Sequence, residues 1–251
     1  MENIDITALL KVPSVEECKK VLCIQPHPDD NEIGMGAIIA KLAQAGCEIH
    51  YLTITDGRLG NTGTSHTPDQ LAFERKREAE AAGRLLGAEK FFWLGYKDGS
   101  LNDIPTLASG IGEVIRREQY DTVFCPDPWL AYESHYDHIV TGQASAQAAI
   151  SCALKDYPEG TKTDPCQLRA VGFYFTEAPN AIVDVTEFFD VKFEAMALHK
   201  TQMNEQLLAL YRKYFTLRGT QLSQDEKKIG EGVKMLQPLH LHCFPEAKDI
   251  Q

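Results

Sequence analysis

The chain predicts an α/β architecture, a mostly parallel sheet flanked by helices, from three observations. Short apolar runs rich in β-formers alternate with helical patterns from residue 21 to residue 154. Turn residues punctuate the alternation, and that βαβα rhythm is the signature of parallel strands with crossover helices. The length, 251 residues with 43% hydrophobic content, suffices for one large buried core.

The elements follow in order. VLCIQP gives a strand over 21–26, and the pattern after it a helix over 32–45. A strand over 48–55 precedes the Gly/Thr-rich segment DGRLGNTGTSHTPD, which reads as a loop. A helix over 70–86, a short strand over 90–94, a helix over 106–119 and a strand over 122–125 complete the alternating part. An Ala-rich helix over 141–154 is followed by KDYPEGTKTDPCQ, an exposed loop by its Pro, Gly and charge content. Strands over 170–176 and 181–185, joined by the turn-like EAPN, are expected to extend the sheet. Residues 188–217 carry a long helical pattern and 224–236 a shorter one, before the tail QPLHLHCFPEAKDIQ. No internal repeat or low-complexity linker divides the chain. We expect a single Rossmann-like domain over 1–251, its core about 20–202, with C-terminal helices and tail over 203–251, and its site at the carboxyl ends of the strands.

Composition narrows the function. The net charge of −11 argues against nucleic acid or an anionic membrane as partner. No stretch approaches the roughly 20 apolar residues of a membrane span, and the N-terminus has no basic-then-apolar signal, so a cytoplasmic protein is expected. Seven widely spaced cysteines without a CxxC pair read as reduced thiols, Cys23 and Cys125 filling core-strand positions. Gly34-Met35-Gly36 is not a dinucleotide fingerprint, because the third glycine is missing and the position is Ile39. Close packing of a helix on the sheet accounts for it.

Two segments carry chemistry. His27-Pro28-Asp29-Asp30 ends the first strand, and His135-Tyr136-Asp137-His138 follows TVFCPDPW, so in an open α/β sheet both meet at the carboxyl edge. Together they offer two imidazoles and a carboxylate for a divalent metal, with a second carboxylate and a further imidazole for proton transfer. Adjacent aspartates suit a division of labour, one ligating and its neighbour acting as base to the attacking water. The ordinary alternative is that Asp29 and Asp30 only cap the next helix. His135 and His138 are three apart, so one helical turn can present both to a common centre, and Asp137 can orient one of them from behind. A polar surface loop is the plain alternative, and pairing with the first segment weighs against it. Trp129, in the aromatic and Pro-rich PDPWLAYES, is a candidate cleft wall or a core aromatic.

At these residues the sequence resembles the LmbE-like (PIG-L) family of zinc-dependent N-deacetylases, which carry an HPDD segment after the first strand and a later HxDH. The resemblance extends to the diacetylchitobiose deacetylase branch through VLCIQPHPDDNEIGMGA, YLTITDGRLG, VFCPDPWLAYESHYDH and GFYFTEAPNAIVDVTEFFDVKFEAMALHKTQ. It implies Zn2+, or another divalent transition metal, on His27, Asp30 and His138. It further implies Asp29 as general base and His135 as the imidazole that stabilises the oxyanion or acts as acid. Arg75 and Asp98 fall where relatives bind sugar hydroxyls. Read from the residues alone, Arg75 can equally pair with Glu78 or Glu80 on its own helix, and Asp98 can be a structural turn residue in KDG. The resemblance also implies a homo-oligomer, trimer or hexamer, with His240 or His242 reaching a neighbouring subunit's site, although LHLH by itself reads as a short strand. Asn31 and Glu32 depart from the frequent HPDDE, and Tyr136 replaces a frequent Pro. Glu133 stands where some relatives have a tyrosine, so no role is carried to it. The expected activity is removal of the N-acetyl group from N-acetylglucosamine or di-N-acetylchitobiose, a small acetamido sugar. N-acetylglucosaminyl-malate deacetylation and a non-catalytic metal-binding module are the alternatives.

Overall fold

The computed structural model describes residues 11–61 and 63–250. Its strands are β1 (Lys20–Gln25), β2 (Glu48–Thr55), β3 (Ala88–Tyr96), β4 (Thr122–Pro126), β5 (Ala170–Tyr174), β6 (Ala181–Asp184) and β7 (Gly230–Leu236). They form one sheet in the order β3-β2-β1-β4-β5-β7-β6. The first five run parallel, with Cys23 opposite both Tyr51 and Phe124, and β7 joins antiparallel to β5 and β6. The predicted α/β class with a mostly parallel sheet is therefore the observed one.

Strand alternation builds two cores. Leu22 and Ile24 face one side of the sheet, among Leu107, Ile111, Ile115 and Val140 of helices α3 (Ile104–Glu118) and α4 (Tyr136–Ser151). Val21 and Cys23 face the other, against Ile38 and Ile39 of α1 (Asp30–Gln44) and Ala82 of α2 (Pro68–Leu85). Phe189, Phe193 and Met196 of α5 (Phe189–Met196) form a smaller cluster, on which Leu207, Leu208 and Phe215 of α6 (Glu205–Ser223) pack. All seven cysteines are free thiols, and Cys23 and Cys125 are fully buried on their strands.

The C-terminal third departs from the sequence expectation in two places. The segment 224–236 is not a helix: residues 230–236 form β7, because β5 and β6 each offer it an open ladder of backbone partners that outweighs a weak helical pattern. The long pattern 188–217 is broken into α5 and α6, the second starting where the Asn204 side chain accepts the Leu207 N–H at 2.8 Å. Within α1 the backbone leaves helical geometry at Met35 (φ −151°, ψ 28°). A buried ion pair splices the break. Lys192 Nζ donates to the Ile33 carbonyl (2.8 Å) and to Glu231 (2.5 Å), while the other Glu231 oxygen accepts the Ile38 N–H (2.8 Å). Gly34 is needed beside the kink, since a Cβ there would lie 2.4 Å from the Tyr174 ring.

Strand order positions the site. From β1 the chain steps outward to β2 and β3, then returns to place β4 on the other side of β1. The crevice at this reversal, outside the carboxyl ends of β1 and β4, is where open α/β sheets bind ligands. Both chemistry-bearing segments leave the sheet there.

Candidate active site

Asp29 occupies a backbone conformation that L-residues rarely adopt, with φ 136°. Neighbours hold it there: Gln25, anchored to Thr53 at 2.9 Å, accepts the Asn31 N–H at 3.1 Å, and Asn31 donates to the Cys23 carbonyl at 3.2 Å. The Asp29 side chain makes no helix-capping hydrogen bond. It turns to Arg75 Nη2 at 3.2 Å, and its neighbour Asp30 turns the opposite way.

Asp30 bridges the two segments. One of its oxygens lies 3.3 Å from His27 Nδ1 and the other 3.3 Å from His138 Nε2. On its far side, His27 Nε2 is 3.3 Å from both Asp137 and Asp98. Carboxylates behind an imidazole fix its tautomer and leave the other nitrogen free to ligate. The donor types suit a divalent transition metal: the Asp30 carboxylate touches both imidazoles, and the outer nitrogen of His27 is already held. The His135 ring lies 4.5 Å from that of His27 and 5.0 Å from that of His138, yet His135 itself is exposed. Two trios of side chains offer ligand atoms close enough to share an ion, His27 with His135 and His138, and His27 with Asp98 and Asp137. The carboxylates are all anchored by backbone donors: Asp98 and Asp137 accept the Leu59 and Gly99 N–H groups at 3.0 and 2.7 Å, and Asp30 accepts the His27 N–H at 2.9 Å.

The charges follow from these contacts. Burial alone would depress the His27 pKa, but Asp137, Asp30 and Asp98 outweigh it and hold the ring well above the ordinary imidazole range. Against a burial penalty, His138 and His27 keep Asp30 ionised well below the usual carboxylate range. Burial lifts the Asp29 carboxyl above that range, against the pull of Arg75. His135 is lowered by burial and by the neighbouring His27 and His138.

The outlying candidates are placed differently from the sequence expectation. Arg75 is buried and pairs with neither Glu78 nor Glu80; it donates to the Gly57 and Pro28 carbonyls, each at 2.8 Å, and to Asp29. Asp98 faces His27, not open solvent. Trp129 is 58% exposed and packs edge-on to Phe173. It lines a second cavity, of about 420 Å³, together with His240. His240 is buried on a 3-10 turn, Pro238–Leu241, not on a strand, and its Nδ1 accepts the Gln237 N–H; His242 is exposed.

A cavity of about 430 Å³ opens directly from Asp30 and His138. Its wall includes Phe175, Tyr211, Tyr214, Phe215 and Arg218. None of these stood out in the sequence. Phe175 has a left-handed backbone (φ 56°), costly for a bulky residue, and its ring lies nearly parallel to His138, 13° apart with centroids separated by 6.0 Å. Glu133 was also missed, although its nearness in sequence to both histidines was a usable signal. His199 and Glu32, both fully buried, face each other at 3.3 Å beneath the site.

The fold and this site define a PIG-L-type de-N-acetylase: residues 22–149 match the family model described as GlcNAc-PI de-N-acetylase, and the chain belongs to that family. Beyond the family, it is 34% identical over 93% of its length to a diacetylchitobiose deacetylase of Thermococcus kodakarensis, covering 89% of that protein. Its fold superposes with a TM-score of 0.86 on the N,N'-diacetylchitobiose deacetylase of Pyrococcus horikoshii solved with its inhibitor MPG. That match has 34% identity and covers 92% of this chain and 88% of the other. A probable N-acetyl-alpha-D-glucosaminyl L-malate deacetylase 2 of Bacillus anthracis is 26% identical over 78% of this chain and 87% of its own length.

Proposed function

We propose that the protein is a zinc-dependent hydrolase that removes the acetyl group from an N-acetylglucosamine-type sugar, giving acetate and an amino sugar. The observation that carries this reading is the split between adjacent carboxylates. Asp30 touches both His27 and His138, while Asp29 is turned to Arg75 and is free of the donor cluster.

In this reading His27, Asp30 and His138 hold the metal, which supplies Lewis acidity to the acetamide carbonyl and to water. Asp29 accepts a proton from water as the water oxygen attacks the carbonyl carbon. Its raised pKa makes it a stronger base than an ordinary carboxylate, and Arg75 keeps it aimed. His135, exposed at the mouth, donates a hydrogen bond to the developing oxyanion. As the C–N bond breaks, Asp29 or His135 delivers a proton to the nitrogen, and the amine leaves. The water oxygen ends in acetate. Asp98 and Asp137 hold the His27 ring throughout.

The cavity beside Asp30 suits a neutral sugar. Tyr211 and Tyr214 lie on its wall, which carries Glu133 and Glu177 against the single cation Arg218, Glu231 being balanced by Lys192. A malate conjugate would bring two more negative charges into that surface, which weighs against the malate alternative. Within the same proposal the protein acts in the cytoplasm as a trimer or hexamer. Of the two C-terminal histidines, exposed His242 is the one free to reach a neighbour. Among the described residues no helix is long and apolar enough to cross a membrane.

The test is release of free amine from N-acetylglucosamine, di-N-acetylchitobiose and N-acetylglucosaminyl-malate by zinc-loaded protein, with metal-stripped protein as blank. Zinc-dependent release from the neutral sugars is expected. Release from the malate conjugate alone would move the substrate, and no release from any of them would sink the reading.

A further inference from the structure

The turn that precedes α4 is built to drive one carboxylate inward. Tyr132 takes a left-handed backbone (φ 70°) and its side chain is fully exposed, while the Glu133 N–H closes the turn on the Leu130 carbonyl at 3.1 Å. Reversal at Tyr132 leaves the Glu133 side chain only 20% exposed, on the wall of the cavity that opens from Asp30 and His138. Its two oxygens then face two different histidines. One accepts the His135 backbone N–H at 2.7 Å, and the other lies 3.6 Å from His138 Nδ1.

His138 Nδ1 is the informative atom. Its Nε2 faces Asp30, so with a cation on Nε2 the proton sits on Nδ1. Yet Nδ1 is buried and makes no hydrogen bond. His27, the other imidazole of the donor set, has two carboxylates at 3.3 Å behind it. The only carboxylate facing the equivalent atom of His138 among the described contacts is Glu133, a few tenths of an ångström beyond bonding distance. Phe175 covers the ring face, so His138 can settle only by closing that gap in the ring plane.

We infer that Glu133 is the positioning residue of the histidine pair: its carboxylate accepts a hydrogen bond from the Nδ1–H of His138 when a divalent cation occupies Nε2, and its second oxygen fixes the start of α4 and thereby His135. The assignment rests on the metal-site reading above and concerns a residue that the sequence resemblance leaves without a role. An ordinary explanation competes with it, that Glu133 merely caps α4, and the two differ in what a glutamine would do. Glu133→Gln keeps its one oxygen for the His135 N–H and so presents its amide NH2, a donor, to the His138 Nδ1–H.

The experiment uses Zn2+ alone. Its affinity is measured by competition with a chromophoric chelator for the wild type, Glu133→Gln and Glu133→Ala, alongside the Tm of each metal-free protein. Loss of a carboxylate behind a ligating histidine weakens metal binding by about 10–100-fold. We expect that loss in Glu133→Gln with the metal-free Tm unchanged, together with disappearance of a slowly exchanging His138 Nδ1–H resonance from the zinc-loaded spectrum. Unchanged zinc affinity in Glu133→Gln, with a fall in Tm confined to Glu133→Ala, would overturn the inference and leave a capping residue. Failure of the wild type itself to take up zinc would overturn the metal site and the inference together. Zinc uptake without sugar turnover would count only against the deacetylase reading.

Discussion

Replacing Lys192 by Met removes the cation that joins the two halves of α1. Lys192 is fully buried, and Glu231 is 7% exposed. The substitution strands a carboxylate in the core with one remaining partner, the Ile38 N–H, and leaves the Ile33 carbonyl without its donor. Breaking a buried pair by removing one member costs about 3–5 kcal/mol, mostly from the uncompensated charge. For a chain of this size that corresponds to a fall in Tm of about 6–20 °C. The double variant Lys192→Met/Glu231→Gln removes the stranded charge and should recover more than half of the loss. Urea denaturation of the wild type, both single variants and the double variant forms a complete cycle, from which the coupling is read directly. The effect reaches the site, because Ile33, whose carbonyl Lys192 holds, closes the first helical turn by donating its own N–H to the Asp29 carbonyl at 3.0 Å, so the surviving folded protein should also bind zinc less tightly. A loss below about 1 kcal/mol in Lys192→Met, or no recovery in the double variant, would refute the view that this pair splices the kink.

Further outcomes are expected elsewhere. Asp29→Asn should lower amine release by about 10² or more while zinc stoichiometry stays that of the wild type, since general bases contribute that much; equal turnover removes Asp29 from the role. Gly34→Ala forces a methyl to within 2.4 Å of the Tyr174 ring and should cost about 1–3 kcal/mol, read by urea denaturation. Asp184 is lowered to about 2 by its Thr186 hydrogen bonds and by Lys228. With the folded value below the ordinary 3.8, its contribution is present above pH 4 and is lost as the pH falls towards 2. The Tm difference between the wild type and Asp184→Asn should therefore shrink across that window, and a constant difference would contradict the assignment.

The parts of the fold visible in the sequence are those decided locally. β1 and β4 are short apolar runs and β2 is rich in β-formers, each ended by turn residues, and the helices between them keep one apolar stripe, so residues within one or two turns determine each element. β7 was not visible because Val233, Met235 and Leu236 fit a helical stripe as readily as a strand, and only its β5 and β6 neighbours decide between them. The kink at Met35 depends on Lys192 and Glu231, far along the chain. The same division runs through the site. His27, Asp29, Asp30, His135 and His138 stand in two compact segments whose meeting follows from the strand order. Arg75 holding Asp29, Asp98 behind His27 and Phe175 against His138 are contacts between loops, and no periodicity encodes them.

Strand order also divides the labour of this molecule. The converging donors hang from β1 and β4, central strands flanked on both sides, whose loops cannot shift without disturbing both cores. The opposite wall of the cleft, from Phe175 through α6, is attached to β5, β7 and β6 at the margin of the sheet, where the ladder runs antiparallel and ends. Phe175 and Glu231 apart, residues there can be exchanged, or the helix re-angled, at little cost to the hydrolytic centre. The scaffold thus separates bond breaking from the choice of what is broken, with reactivity conserved by the rigidity of its middle and selectivity free to drift along one edge.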